Sequence, residues 1–82
     1  VDVHDPHADP AEAKHEYGLS LMDISAIQPA DAVILAVPHQ DYVRGGWPFI
    51  KTLLSGGEGL VFDVKSVLDR KSLPAGIELW RL

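Results

Sequence analysis

The sequence predicts an α/β domain built on a mostly parallel sheet, layered between helices. Three observations carry this expectation. Ala32-Val33-Ile34-Leu35-Ala36-Val37 is an unbroken apolar run between Asp31 and Pro38, the pattern of a strand buried on both faces. Leu60-Val61-Phe62 is a second apolar run that ends at Asp63-Val64. Between them Phe49, Ile50, Leu53 and Leu54 recur at helical spacing, giving one apolar face to lay on a sheet. Strand-like and helix-like segments alternate, which implies parallel pairing through right-handed crossovers.

Each element has a local reason. Val1 to His4 alternates as a short strand and is stopped at Asp5-Pro6, because proline lacks a donor and constrains its predecessor. Asp9-Pro10-Ala11-Glu12 then reads as a helix start: Asp9 caps, Pro10 takes the first helical position, and Glu12 can reach back to the cap. This helix is polar and short, and Gly18 can end it in a left-handed conformation. Leu19-Ser20-Leu21 suits a brief extended segment. Asp23 to Ile27 suits one or two turns closed before Pro29. A helical pattern resumes after His39 through Tyr42 and Val43, breaks at Gly45-Gly46 and restarts at Trp47-Pro48. Gly56-Gly57-Glu58-Gly59 ends it, Ser66 to Ser72 is polar with at most a short turn, and Pro74-Ala75-Gly76 is a loop. Ile77-Glu78-Leu79-Trp80 alternates as a last, edge strand. The predicted order is β-α-(β)-α-β-α-β-β.

Composition narrows the function classes. Eighty-two residues suffice for one domain or part of a larger one. Twelve acidic against seven basic residues leave a net charge of −5 with no basic run, a poor match to phosphate backbones or anionic membranes, so neither is an expected partner. No apolar run approaches the roughly 20 residues of a membrane span. The absence of cysteine removes thiol nucleophiles, thiolate metal sites and disulfides, and it fits a cytoplasmic setting. The chain opens on Val1 in what reads as a strand already in progress, which suggests that an N-terminal part is missing.

Ligands of open α/β sheets bind beyond the carboxyl ends of the strands. Asp5-Pro6-His7, Pro38-His39-Gln40 and Asp63-Val64-Lys65-Ser66 would all emerge on that rim. Asp5 and Asp63 also suit simple loop capping. Lys65 is a cation at a strand's carboxyl end in an acidic chain, placed for a phosphate or carboxylate, or else a solvated surface lysine or a partner for Asp63 or Asp69. His39 could meet a ligand, cap the following helix or merely fill the loop. His4, Asp5, His7 and Asp9 crowd a short segment, but alternating faces and two stiffening prolines argue against a metal there. Gly56 to Gly59 runs from helix to strand, the reverse of a phosphate cradle, and no G-x-G-x-x-G is present, so no cofactor-binding residue is assigned.

The motifs together suggest a family. Val3-His4-Asp5-Pro6-His7-Ala8 resembles the V-x-D-P strand end in the C-terminal, UDP-binding domain of UDP-glucose/GDP-mannose dehydrogenases. Asp31 to His39 resembles their D-A-V-x-L-A-V-x-H strand, Phe62 to Asp69 their D-V-K-x-x-L-D segment, and Leu79-Trp80-Arg81-Leu82 their Y-W-R-L ending. The V-P-H and W-R-L variants look most like the branch acting on UDP-N-acetylhexosamines for surface polysaccharide. The resemblance implies a three-layer Rossmann-like fold and a longer parent that oxidises C6 of a UDP-hexose or UDP-N-acetylhexosamine to the acid in two NAD-dependent steps. NAD would sit on another, N-terminal domain, a cysteine outside this segment would do the covalent chemistry, and the parent would be a homo-oligomer. Residues 1–82 would form the substrate-side domain, with Lys65 carried over as a substrate-binding residue beside His39 and no catalytic residue. The family often has glycine where Ser66 stands. Its G-x-x-F-K strand and the D-D-x-R-x-S-P stretch after it are absent, so the sheet is expected to lack its first strand, the edge so exposed to seek another chain, and this chain alone to be inactive. The rival reading is a non-catalytic flavodoxin-like regulatory module with Asp63 as phosphoacceptor, although the acidic pair that such modules use for Mg²⁺ is not visible.

Overall fold

The computed structural model describes residues 1–18 and 20–81. Its elements are α1 (Pro10–Tyr17), β1 (Ala32–Leu35), α2 (Gln40–Leu53), β2 (Gly59–Asp63) and β3 (Ile77–Arg81), with single 3₁₀ turns at Ile24–Ala26, Ser55–Gly57 and Arg70–Ser72. The three strands form one parallel sheet in the order β1-β2-β3. The α/β, Rossmann-like class and the parallel pairing therefore stand as expected.

The Asp9 cap of α1 is built as the sequence implies, although Glu12 does not bond back to the Asp9 N–H. Asp9 stays extended, and its side chain accepts from the N–H groups of Ala11 at 2.9 Å and Glu12 at 3.4 Å. Gly18, at φ 66°, closes the helix by donating to the carbonyls of Ala13 and Lys14. In α2 the two helical halves meet at Gly46, whose φ of 55° and ψ of −149° no helix tolerates, and Pro48 begins the second half. Gly59 is needed for a different reason: a Cβ there would lie 2.4 Å from the carbonyl oxygen of Asp31.

The register explains the core. Val33, Val61 and Leu79 align across the sheet, as do Leu35, Asp63 and Arg81, and these rows share one face. Leu35, Val61, Ile77, Leu68, Trp47, Ile50 and Leu54 form the buried apolar cluster, with Ile50 and Val61 wholly inaccessible. Burial of each such side chain contributes about 1.5–3 kcal/mol, so most of the fold's stabilisation lies between α2 and this one face.

Two expectations need correction. The apolar run at Ala32 to Val37 is a strand only to Leu35, and it is not buried on both faces. Ile34, Phe62 and Trp80 line up on the opposite face, where Ile34 is 72% and Trp80 53% exposed. The reason is that α1 does not cover them; it is itself exposed from Pro10 to Glu16 apart from Ala13. The first two predicted strands shrink to one parallel bridge, Val3 with Leu21, closed by Met22 N–H donating to the Val3 carbonyl at 2.8 Å. Leu19 of the second segment and Leu82 of the terminal motif lie outside the described residues.

Candidate functional site

The site is assembled at the carboxyl edge of the sheet. Leu35 pairs with Asp63 in parallel register, and Val64 N–H donates to the Leu35 carbonyl at 3.1 Å. The segments that leave β1 through Pro38-His39 and β2 through Val64-Lys65 therefore depart from the same edge. The third predicted contributor, the Asp5 turn, is brought beside the His39 segment by side-chain contacts.

His39 precedes the first turn of α2 and accepts from the N–H groups of Tyr42 and Val43 through its carbonyl, at 3.0 and 3.1 Å. Its imidazole makes no capping bond, which removes one of the roles open to it. The ring is largely buried instead, 4.6 Å between centroids from His7 and 5.4 Å from Tyr42. His39 Nε2 lies 3.1 Å from Asp5 Oδ1 without hydrogen-bond alignment, and no other polar atom satisfies that nitrogen among the described residues.

Asp5 is fixed by its own turn: Oδ1 accepts from the N–H groups of His7 at 2.9 Å and Ala8 at 3.2 Å. The bond from His7 is the main reason its carboxyl titrates below the ordinary value. Partial burial opposes this, and the Ala8 bond and nearby His39 and His7 add to the lowering. Tyr42 ties the same segment to α2. Its hydroxyl donates to the His4 carbonyl at 3.1 Å and lies 2.7 Å from His4 Nδ1, both bonds being satisfied together when Nδ1 carries a proton. Burial above all, then the charges of Asp5 and Asp41, raise the Tyr42 pKa.

Lys65 is exposed and enters no hydrogen bond or ion pair among the described residues: the pairing with Asp63 or Asp69 is not formed, and its ammonium is solvated. Asp69 instead caps the next turn, accepting from Lys71 N–H and Ser72 Oγ, each at 2.9 Å. Asp63 does not reach the rim at all. It is completely buried, and Oδ2 accepts from Leu68 N–H at 2.8 Å. A side chain so enclosed is unsuited to receive a phosphoryl group, which counts against the phosphoacceptor role. Between them Ser66 takes φ 55°, a left-handed conformation that glycine adopts more readily.

Tyr42, Trp47 and Arg81 carry little local signal of a role here. Arg81 was the most findable, since the alternation of Ile77 and Leu79 puts it on the buried face. The larger concavity, about 880 Å³, runs between the α2 kink and the Val67–Pro74 segment and is lined by neither His39 nor Lys65. A smaller one of about 280 Å³ touches His4 and Asp5. No group of three His, Cys, Asp or Glu among the described residues could hold a metal ion.

Comparison with known proteins supplies the class. Residues 1–70 match the UDP binding domain of the UDP-glucose/GDP-mannose dehydrogenase family. The chain is 38% identical over all 82 residues to "Protein CapL" of Staphylococcus aureus, covering 19% of that protein. It is 35% identical over 69 residues to "UDP-N-acetyl-D-glucosamine 6-dehydrogenase" of Pseudomonas aeruginosa, covering 84% of this chain and 16% of that protein. The chain thus spans less than a fifth of the length of these curated relatives. No solved structure gives a significant match. With the ordered motifs, the parallel sheet and this match in hand, the chain belongs to the UDP-glucose/GDP-mannose dehydrogenase family, as its UDP-binding domain.

Proposed function

We propose that this chain is the substrate-side domain of a cytoplasmic, homo-oligomeric, NAD-dependent UDP-sugar 6-dehydrogenase that makes UDP-uronic acids for polysaccharide. The reaction takes the C6 alcohol to the carboxylate, with four electrons leaving as two hydrides to two NAD⁺ and one water consumed. NAD and the covalent chemistry belong to other parts of the parent. In this chain the turn from β1 into α2 passes through Pro38-His39 and has no glycine cradle for a dinucleotide, and cysteine is absent. The role of this domain is to hold the nucleotide end of the substrate, with Lys65 meeting the diphosphate and His39 lining the same edge.

The observation that carries this reading is the parallel register of β1 and β2, from which both loops leave at one edge. The identity to a UDP-N-acetyl-D-glucosamine 6-dehydrogenase supports an N-acetylhexosamine as the sugar. Calorimetric titration tests it. UDP should bind in preference to ADP, and Lys65→Ala should weaken UDP about tenfold, as expected for one charge-assisted contact. Equal affinity for ADP, or a Lys65→Ala variant that binds UDP unchanged, would sink the proposal. The chain mixed with NAD and UDP-N-acetylglucosamine should produce no NADH.

A further inference from the structure

The loop that carries Lys65 is held from beneath by three residues on three different elements. Leu68 is gripped on both of its backbone polar groups: its N–H donates to Asp63 Oδ2, and its carbonyl accepts from the Arg81 guanidinium. One residue further on, Trp47 Nε1 donates to the Asp69 carbonyl at 2.7 Å. Asp63 and Arg81 are themselves register partners on β2 and β3, and Trp47 comes from α2, directly after the kink at Gly46. The start of the same loop is pinned by Val64 N–H on the Leu35 carbonyl and by Ser66 N–H on the Asp63 carbonyl at 3.3 Å. Lys65 therefore stands on a short, strained turn whose two ends are bonded to β1, β2, β3 and α2.

Arg81 is half-buried with its Nε shut off from solvent, and burying part of a guanidinium is costly unless its bonds matter. Arg81 donates to a main-chain carbonyl rather than to a carboxylate, and its Nε has no partner among the described residues. Such an arrangement contributes little net stability but fixes geometry. Lysine is a flexible point charge, and its value as a phosphate contact depends on where its backbone is anchored.

We infer that Asp63 and Arg81 are positioning residues that act through Leu68 to hold Lys65 against the anionic diphosphate of the nucleotide. This inference rests on the reading of Lys65 as a diphosphate contact. It assigns affinity for the phosphates, not for the uridine, to residues that themselves touch no ligand.

The test is a double-variant comparison using UDP and uridine as probes. Arg81→Gln should weaken UDP about five- to tenfold and leave uridine unchanged. The Lys65→Ala/Arg81→Gln pair should bind UDP no more weakly than Lys65→Ala alone, the sign of coupled residues. Arg81→Lys, which retains a donor for the Leu68 carbonyl, should recover part of the loss. Amide exchange at Val67 and Leu68 should accelerate in Arg81→Gln. If Lys65→Ala weakens UDP while Arg81→Gln does not, or if the two losses simply add, the inference is overturned and the nucleotide reading stands. If Lys65→Ala has no effect, both fall. Should Arg81→Gln fail to fold, Arg81→Met, which keeps most of the side-chain length but has no donor for the Leu68 carbonyl, carries the same comparison with the same loss expected.

Discussion

The two parts of this chain are held together by different physics. From Ala30 onward the strands and α2 share a core, and among the described residues every buried apolar one falls between Leu35 and Ile77, with none from positions 1–29. They are fastened to it by polar contacts, His4 with Tyr42 and Asp5 beside His39, and are braced within themselves by Gln28 N–H on Asp2 Oδ2 at 3.3 Å. Apolar burial is non-directional and strong in sum, whereas each exposed or half-buried hydrogen bond contributes only about 0.5–1.5 kcal/mol. The sheet should thus behave as the cooperative unit, and the N-terminal segment as a strap that opens first.

Substitutions can break or sharpen this contrast. Ile50→Ala, at a fully inaccessible position, should cost about 3 kcal/mol, a large share of the stability of so small a domain, as read by chemical denaturation. A cost under 1 kcal/mol would mean the core lies elsewhere. Tyr42→Phe removes only the hydroxyl that holds His4 and should cost about 1 kcal/mol. Its mark should be local, with faster amide exchange around Met22, whose N–H closes the Val3 bridge, and unchanged exchange in β2. Acid should act on the strap before the sheet. Because the Asp5 carboxyl titrates below its ordinary value in the folded chain, its contribution is whole above about pH 4 and is lost as pH falls through the lowered value. Asp5→Asn should remove that part of the acid dependence, measured by denaturation at a series of pH values. The smallest effect belongs to Ser66→Gly, which relieves a left-handed backbone at the expense of chain entropy and should stabilise by about 0.5 kcal/mol.

What the sequence made legible follows the same division. The cap at Asp9, the break at Gly46 and the strands at Leu60 and Ile77 are local: turn chemistry and periodicity decide them within a few residues. The burial of Ile34 was not decidable that way. An apolar residue in a parallel strand is buried only if something packs over it, and periodicity does not say whether a second layer is there. Site residues divided along similar lines. Lys65 and His39 could be nominated because strand ends mark the carboxyl edge. Asp63 looked like a rim residue and is instead a buried clamp, because its role depends on Leu68 and on the neighbouring strand. Tyr42 as the strap's anchor likewise needed a contact 38 positions away in the chain.

The central claim is that the carboxyl edge of this sheet receives the nucleotide. Amide chemical shifts of the 82-residue chain titrated with UDP test it most directly. The account predicts that Val64, Lys65 and Ser66 shift together with His39 and Gln40, along one saturation curve. Shifts confined to the groove between the α2 kink and Val67–Pro74, or to the open row of Ile34, Phe62 and Trp80, would contradict it.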